Sequence, residues 1–223
     1  MELSGIWSGL YKVSLWVTRF AWLNILWLIS TLIGLILFGL MPATIALFTV
    51  VRKWVQKDYD VNVFATFSKA FKDNFIKANL FGIIIFIAGY ALSIFLKYTG
   101  LMNESGLYSV LLGIFILAAF FYVMLIMYIG PVFVHFDLKF WQYIRYAVTI
   151  GAVNLHYSIC TLTLLAGIYF LSFKYPGFGL FFSFSLSAYI IMFLANLGFN
   201  QLLKKQHEEQ TDKHSETVST TLN

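Results

Sequence analysis

Between Phe20 and Leu40 the chain carries no Asp, Glu, Lys or Arg, and the stretches 78–96, 107–129, 147–173 and 178–199 are equally free of them. A helix needs about 20 apolar residues to cross a hydrocarbon core about 30 Å thick, and each run approaches or exceeds that length. Composition agrees: 60% of residues are hydrophobic and 11% charged, where a soluble domain carries about 25% charged residues. The runs predict an all-α fold, a polytopic transmembrane helical bundle of about five spans with interfacial amphipathic helices between them. Residues 1–203 form one transmembrane domain in this reading. The tail 204–223 is polar and nearly charge-balanced, holds little apolar surface to bury, and is expected to be disordered.

Breaker residues set the span boundaries. Gly39-Leu40-Met41-Pro42 closes the first span and Gly130-Pro131 the third. Proline lacks a backbone donor, so helix kinks are expected at Pro42 and Pro131. The apolar run from Pro42 to Val51 is too short to cross again. It is expected to extend the first span or to lie as a short helix at the boundary. Two cramped spans between Val13 and Val51 would put Arg19 inside the first, which lipid disfavours; the sequence leaves open whether 13–51 holds one span or two. Residues 1–18 place Leu3, Ile6, Trp7, Leu10, Val13 and Val17 on one stripe, the pattern of a helix lying in the interface.

The segment Arg52–Lys77 fixes direction. It holds Arg52, Lys53, Lys57, Lys69, Lys72 and Lys77, six of fifteen basic residues, and loops rich in Lys and Arg stay in the cytoplasm. With five spans the N-terminus is then outside and the C-terminus cytoplasmic, in the plasma membrane. Inside the segment, Phe64, Phe67, Phe71 and Phe75 recur at intervals of three and four, with Lys69, Lys72 and Lys77 on the other side. That is a basic amphipathic helix with Asp60 or Asn62 as N-cap. Together with Asp137 and Arg145 of the second interfacial segment, it makes the candidate cytoplasmic contact surface, for a partner or for anionic lipid. Alternatively, the phenylalanines only pack beneath the bundle. A faint repeat accompanies this layout, since span, proline, basic aromatic segment and Asn-led span (Asn74, Asn154) occur twice in one direction.

Catalytic chemistry is not indicated. No span centre holds an acid, lysine or arginine, whereas proton relays and ion paths usually need them. No phosphate-binding glycine loop, zinc-protease motif or nucleophile elbow is present. His135, Asp137, Arg145, Asn154 and His156 are the nearest approach to a constellation, and they would have to converge from separate elements. Asn24, Asn79 and Asn196 are expected to be interhelical hydrogen-bonding groups. The reading is therefore a protein without enzyme activity, cofactor or metal, with lipid as its surroundings. A net charge of +5 concentrated on one side of a membrane does not suggest nucleic acid.

The run MPATIALFTVVRKWVQKDYD, continued by FATFSKAFKDNFIKANLFG, and the later GPVFVHFDLKFWQYIRYAVTIGAVNLHYSI resemble the YesL family of bacterial integral membrane proteins. The likeness covers most of residues 5 to 200. Relatives tend to have Arg where His135 stands and Pro where His156 stands, which argues against a role for these histidines. Genes of the family tend to lie beside sugar-uptake ABC transporters and polysaccharide-degrading enzymes. The resemblance thus implies an accessory or regulatory protein of carbohydrate uptake, with a sugar transporter permease as partner. A small carrier or channel acting on its own is the alternative.

Overall fold

The protein is described by a computed structural model covering residues 5–102 and 106–221, with side chains described for 9–102 and 106–201. Eight helices and no strand occur among the described residues: α1 (Gly5–Ile33), α2 (Leu37–Val55), α3 (Val63–Asp73), α4 (Phe75–Leu101), α5 (Tyr108–His135), α6 (Phe140–Val153), α7 (Leu155–Lys174) and α8 (Pro176–Thr221). Six are long and apolar enough to cross a membrane: α1 from Gly9, α2, α4, α5, α7, and α8 as far as Gln201. The all-α bundle stands. The polar stretch after 203, expected to be disordered, continues the helical backbone of α8 to Thr221.

The region 20–51 holds two antiparallel helices rather than the single span 20–40. The chain reverses at 34–36, ahead of Pro42, through two consecutive backbone turns. Ile36 N donates to Thr31 O at 2.9 Å and Leu35 N to Leu32 O at 3.0 Å, with Leu35 at φ 55°. This is a Schellman ending whose left-handed residue is a leucine where glycine is usual. Ile36 follows at φ 65°, ψ −64°, and Leu37 N donates to Leu35 O at 2.7 Å, a strained γ-turn. Gly39 makes the tight return possible: a Cβ there would lie 2.5 Å from Thr31 O and 2.8 Å from Ser30 O. Pro42 and Pro131 both lie inside helices that continue past them, α2 to Val55 and α5 to His135.

Trp16 and Phe20 of α1 each pack 5.6 Å from Trp54, near the end of α2, so the start of α1 lies at the basic end of the bundle. Phe199 of α8 sits 4.7 Å from His135 and 5.2 Å from Phe136, at that same end. The expectation of termini on opposite sides rested on five spans, and six helices here are long and apolar enough to cross.

Helix α2 is the axis of the fold, touching α1, α3, α4, α5 and α8. Two apolar cores lie against it. One joins α2 to α1, α3 and α8 through Leu23, Trp27, Val51, Trp54, Phe67 and Met192. The other joins it to α4, α5, α6 and α8 through Ile45, Phe81, Tyr128, Val132, Tyr143 and Phe199. Large apolar side chains elsewhere face outward, as with Ile116, Phe170 and Phe173, where lipid chains are their partners.

A single asparagine separates α3 from α4, and another separates α6 from α7. Asn74 Nδ2 donates to Ala70 O at 3.0 Å, and Asn154 Nδ2 to Ile150 O at 3.2 Å. Each residue's backbone N–H donates to the same carbonyl, while Ala78 N and Ser158 N donate back to Asn74 O and Asn154 O. Asparagine side chains compete with the backbone for such carbonyls and so favour a break. The two halves of the faint repeat therefore share one local geometry. At the second junction Ser158 adds a buried bridge, donating to Gly151 O at 2.9 Å and bonding Tyr128 Oη at 2.8 Å.

Candidate functional site

The basic end is built by the close of α2, by α3, by the first turn of α4 and by the 136–139 loop with α6. Helix α2 ends in a second Schellman motif: Asp58 N donates to Lys53 O at 2.9 Å and Lys57 N to Trp54 O at 3.0 Å, with Lys57 at φ 67°. Lys53 lies 4.0 Å from Asp58, the ion pair seen among the described residues. Asn62 then caps α3, its Oδ1 accepting from Ala65 N at 3.0 Å.

Amphipathicity divides the phenylalanines of α3. Phe67 is 1% exposed and packs with Trp54 and Val51 in the α1–α2–α8 core, with Phe71 against its edge. Phe71 and Phe75 continue the aromatic row at 5.6 Å. Phe64 is 58% exposed, and Lys69 and Lys72 are exposed farther round the same helix. The structure thus gives three of the four rings to packing and leaves Phe64 and the two lysines uncovered.

Lys77 is drawn inward. Its Nζ lies 4.8 Å from the Tyr143 ring centroid and 5.2 Å from that of Phe133, a cation–π pocket, and 3.4 Å from Tyr143 Oη. Tyr143 organises the whole corner. Its hydroxyl donates to Phe136 O and accepts from Leu138 N, both at 3.2 Å. Phe81 stacks on Phe140 at 4.3 Å, locking α4 to α6. Gln142 Oε1 accepts from Lys139 N at 2.9 Å and closes the start of α6.

Arg52 is half-buried between α2 and its neighbours, and its Nε, like His135 Nδ1, is buried without a protein partner. Asp137 and Arg145 are exposed. The structure adds a residue that sequence reasoning missed: Trp141 is 69% exposed, four positions before Arg145 and therefore on the same face of α6. An aromatic residue at i and a cation at i+4 was the available signal. His156 is exposed, its ring tilted against that of Tyr157 with centroids 4.0 Å apart, while Asn154 is buried in the α6–α7 junction; the polar residues of 135–156 do not converge. Among the described residues no three His, Cys, Asp or Glu side chains are grouped to hold a metal. With Trp141 added, the exposed remainder of the candidate surface is Phe64, Lys69, Lys72, Asp137, Trp141 and Arg145, two aromatic groups with three cations and one carboxylate.

Residues 20–95 match the family model described as "Protein of unknown function, DUF624". Three proteins of Bacillus subtilis (strain 168), each described as uncharacterized, are similar over nearly their full length. YteU is 34% identical, covering 96% of this chain and 95% of that protein. YesL is 31% identical (91% and 95%) and YesV 32% identical (86% and 92%). No solved structure matches.

Proposed function

Since the chain belongs to the DUF624 family with YesL, YteU and YesV, and is a multi-pass integral membrane protein of six apolar helices, we propose that it is a non-enzymatic accessory protein of a carbohydrate ABC-type uptake system in the plasma membrane. The basic end faces the cytoplasm and docks there on the transporter permease. Both termini are cytoplasmic. Lys12 and Arg19 then join the inner side, leaving Lys97 and Lys174 as the two of fifteen basic residues outside, a stronger inward bias than five spans would give.

One observation carries the docking role. Phe64 and Trp141 stand 58% and 69% exposed on amphipathic helices whose neighbouring cations lack acidic partners among the described residues. Exposed aromatics beside Arg are the usual anchors of interfaces. A self-sufficient carrier of sugars needs a polar path, and two cavities among the described residues, one between α2 and α4 and one against α8, are lined almost wholly by apolar groups. Copurification from native membranes tests the proposal. Wild-type protein is expected to retain a sugar-transporter permease, and Trp141→Ala with Phe64→Ala to lose it while still folding. Unchanged sugar uptake and transporter assembly in a deletion strain would sink it.

A further inference from the structure

Arg52 is a cation without a counter-charge. The carboxylates with described side chains are Asp58, Asp60, Asp73 and Asp137, all exposed, and the ion pair seen among them joins Asp58 to Lys53. The Arg52 guanidinium nevertheless stands half-buried in the last turn of α2. Its Nε is sealed and unbonded, so no ligand reaches that atom. The two terminal nitrogens are not sealed, and no group among the described residues bonds them. A partly buried charge left unpaired is costly, and here the missing partner can come only from outside the protein or from water.

The surroundings restrict what that partner is. Phe48, one turn earlier on the same face of α2, fills the space that a Cβ at Gly130 of α5 would take. Arg52 is therefore turned toward the end of α5, where His135 lies close enough for the guanidinium charge to act on its ring. His135 packs on Phe199 of α8; it is half-buried, with Nδ1 sealed and Nε2 not. Val134 packs against both apolar cores, so Arg52 and His135 stand where the cores meet, on the seam of α2, α5 and α8. The seam lies at the ends of helices long enough to span a membrane, the level of lipid phosphates, where basic pockets between spans suit anionic headgroups. We propose that this seam binds a phosphate group, whose oxygens accept from the terminal nitrogens of Arg52 and from Nε2–H of His135. The guanidinium fork matches two oxygens of such an anion. A lipid phosphodiester and free phosphate share that chemistry. The site uses none of the exposed residues of α3 and α6 and needs no transporter.

Native mass spectrometry of the full chain in a maltoside detergent, which supplies no phosphate, tests the site. The probes are dioleoylphosphatidylglycerol and dioleoylglycerol, the same chains without the phosphate. The phospholipid is expected to stay bound and the diacylglycerol to be lost. Arg52→Met keeps the apolar stem and removes the fork, and should weaken phospholipid retention about ten- to a hundredfold, the worth of a charged hydrogen bond. Arg52→Lys, a point charge without the fork, should fall between the two. Lys69→Gln with Lys72→Gln, on exposed α3, should leave retention unchanged. Inorganic phosphate at matched ionic strength probes the soluble source. A rise in melting temperature that Arg52→Met abolishes, with phospholipid retention indifferent to that change, would assign the site to free phosphate. The proposal falls if neither probe depends on Arg52, or if the two α3 lysines matter as much as Arg52, since the attraction is then diffuse. Without ligand, Arg52→Met should melt no lower than wild type; a lower temperature would reveal a protein partner for the guanidinium and overturn the proposal.

Discussion

Asn24 shows what one polar side chain does where water is absent. It is fully buried; its Nδ2 donates to Leu180 O at 2.6 Å and its Oδ1 accepts from Ser185 N at 3.0 Å. One amide thus holds successive turns of α8 against α1. Interhelical hydrogen bonds in membranes average about 0.6 kcal/mol and reach about 1.7, and Asn24→Leu removes two of them. A loss of about 1–3 kcal/mol is expected, read as a lower unfolding midpoint in detergent; an unchanged midpoint would show the two bonds to be incidental. The sequence marked Asn24 as interhelical from its polarity alone, and the structure agrees. Asn79, given the same expectation, bonds Phe75 O on its own helix instead. Polarity inside a span says that a partner exists; which helix supplies it depends on rotation about the axis, which polarity does not encode.

At the scale of elements, charge-free runs fall within α4, α5 and α8, whereas the run 147–173 joins the end of α6 to α7 across the break at Asn154, which an absence of charge does not reveal. The α1–α2 hairpin was not legible, and its cause is specific. Both α1 and α2 end in Schellman motifs whose left-handed residues are Leu35 and Lys57, where glycine would have signalled a stop. The visible breaker, Pro42, lies inside α2 and drew the boundary too far along. Placing a non-glycine residue in the left-handed region costs about 1–2 kcal/mol. Lys57→Gly is therefore expected to stabilise the fold by about 1 kcal/mol, whereas Lys57→Ala should not; equal midpoints for the two would refute the cap assignment. The glycines give the complementary test. Gly39→Ala must push two helix backbones apart and should cost about 1–3 kcal/mol. A Cβ at Gly113 meets nothing within 4 Å, so Gly113→Ala should gain about 0.5–1 kcal/mol from helix propensity.

For the whole molecule, the contact surface and the topology are two outcomes of one arrangement. The amphipathic period of α3 was readable, but which phenylalanines stay free depends on the α1–α2 hairpin, because Phe67 fills a core that α1 helps to make. Trp141 escaped notice because it is one of several aromatic residues in an interfacial segment, and only the structure shows Phe140 and Tyr143 packed on Phe81 of α4 while Trp141 stays exposed. The same hairpin sends the start of α1 to the end occupied by Lys53 and Phe199. Single cysteines in a background with Cys160 replaced make that arrangement measurable in intact cells. Gly106→Cys, in the link between α4 and α5, should react with a membrane-impermeant maleimide added outside. Lys57→Cys and Lys12→Cys should react only after permeabilisation. The Lys12 site decides between parities, since five spans expose it and six conceal it. External labelling there, with Lys57 still protected, would mean that α1 and α2 do not both cross, and the packing of Trp16 on Trp54 would have to be abandoned with them.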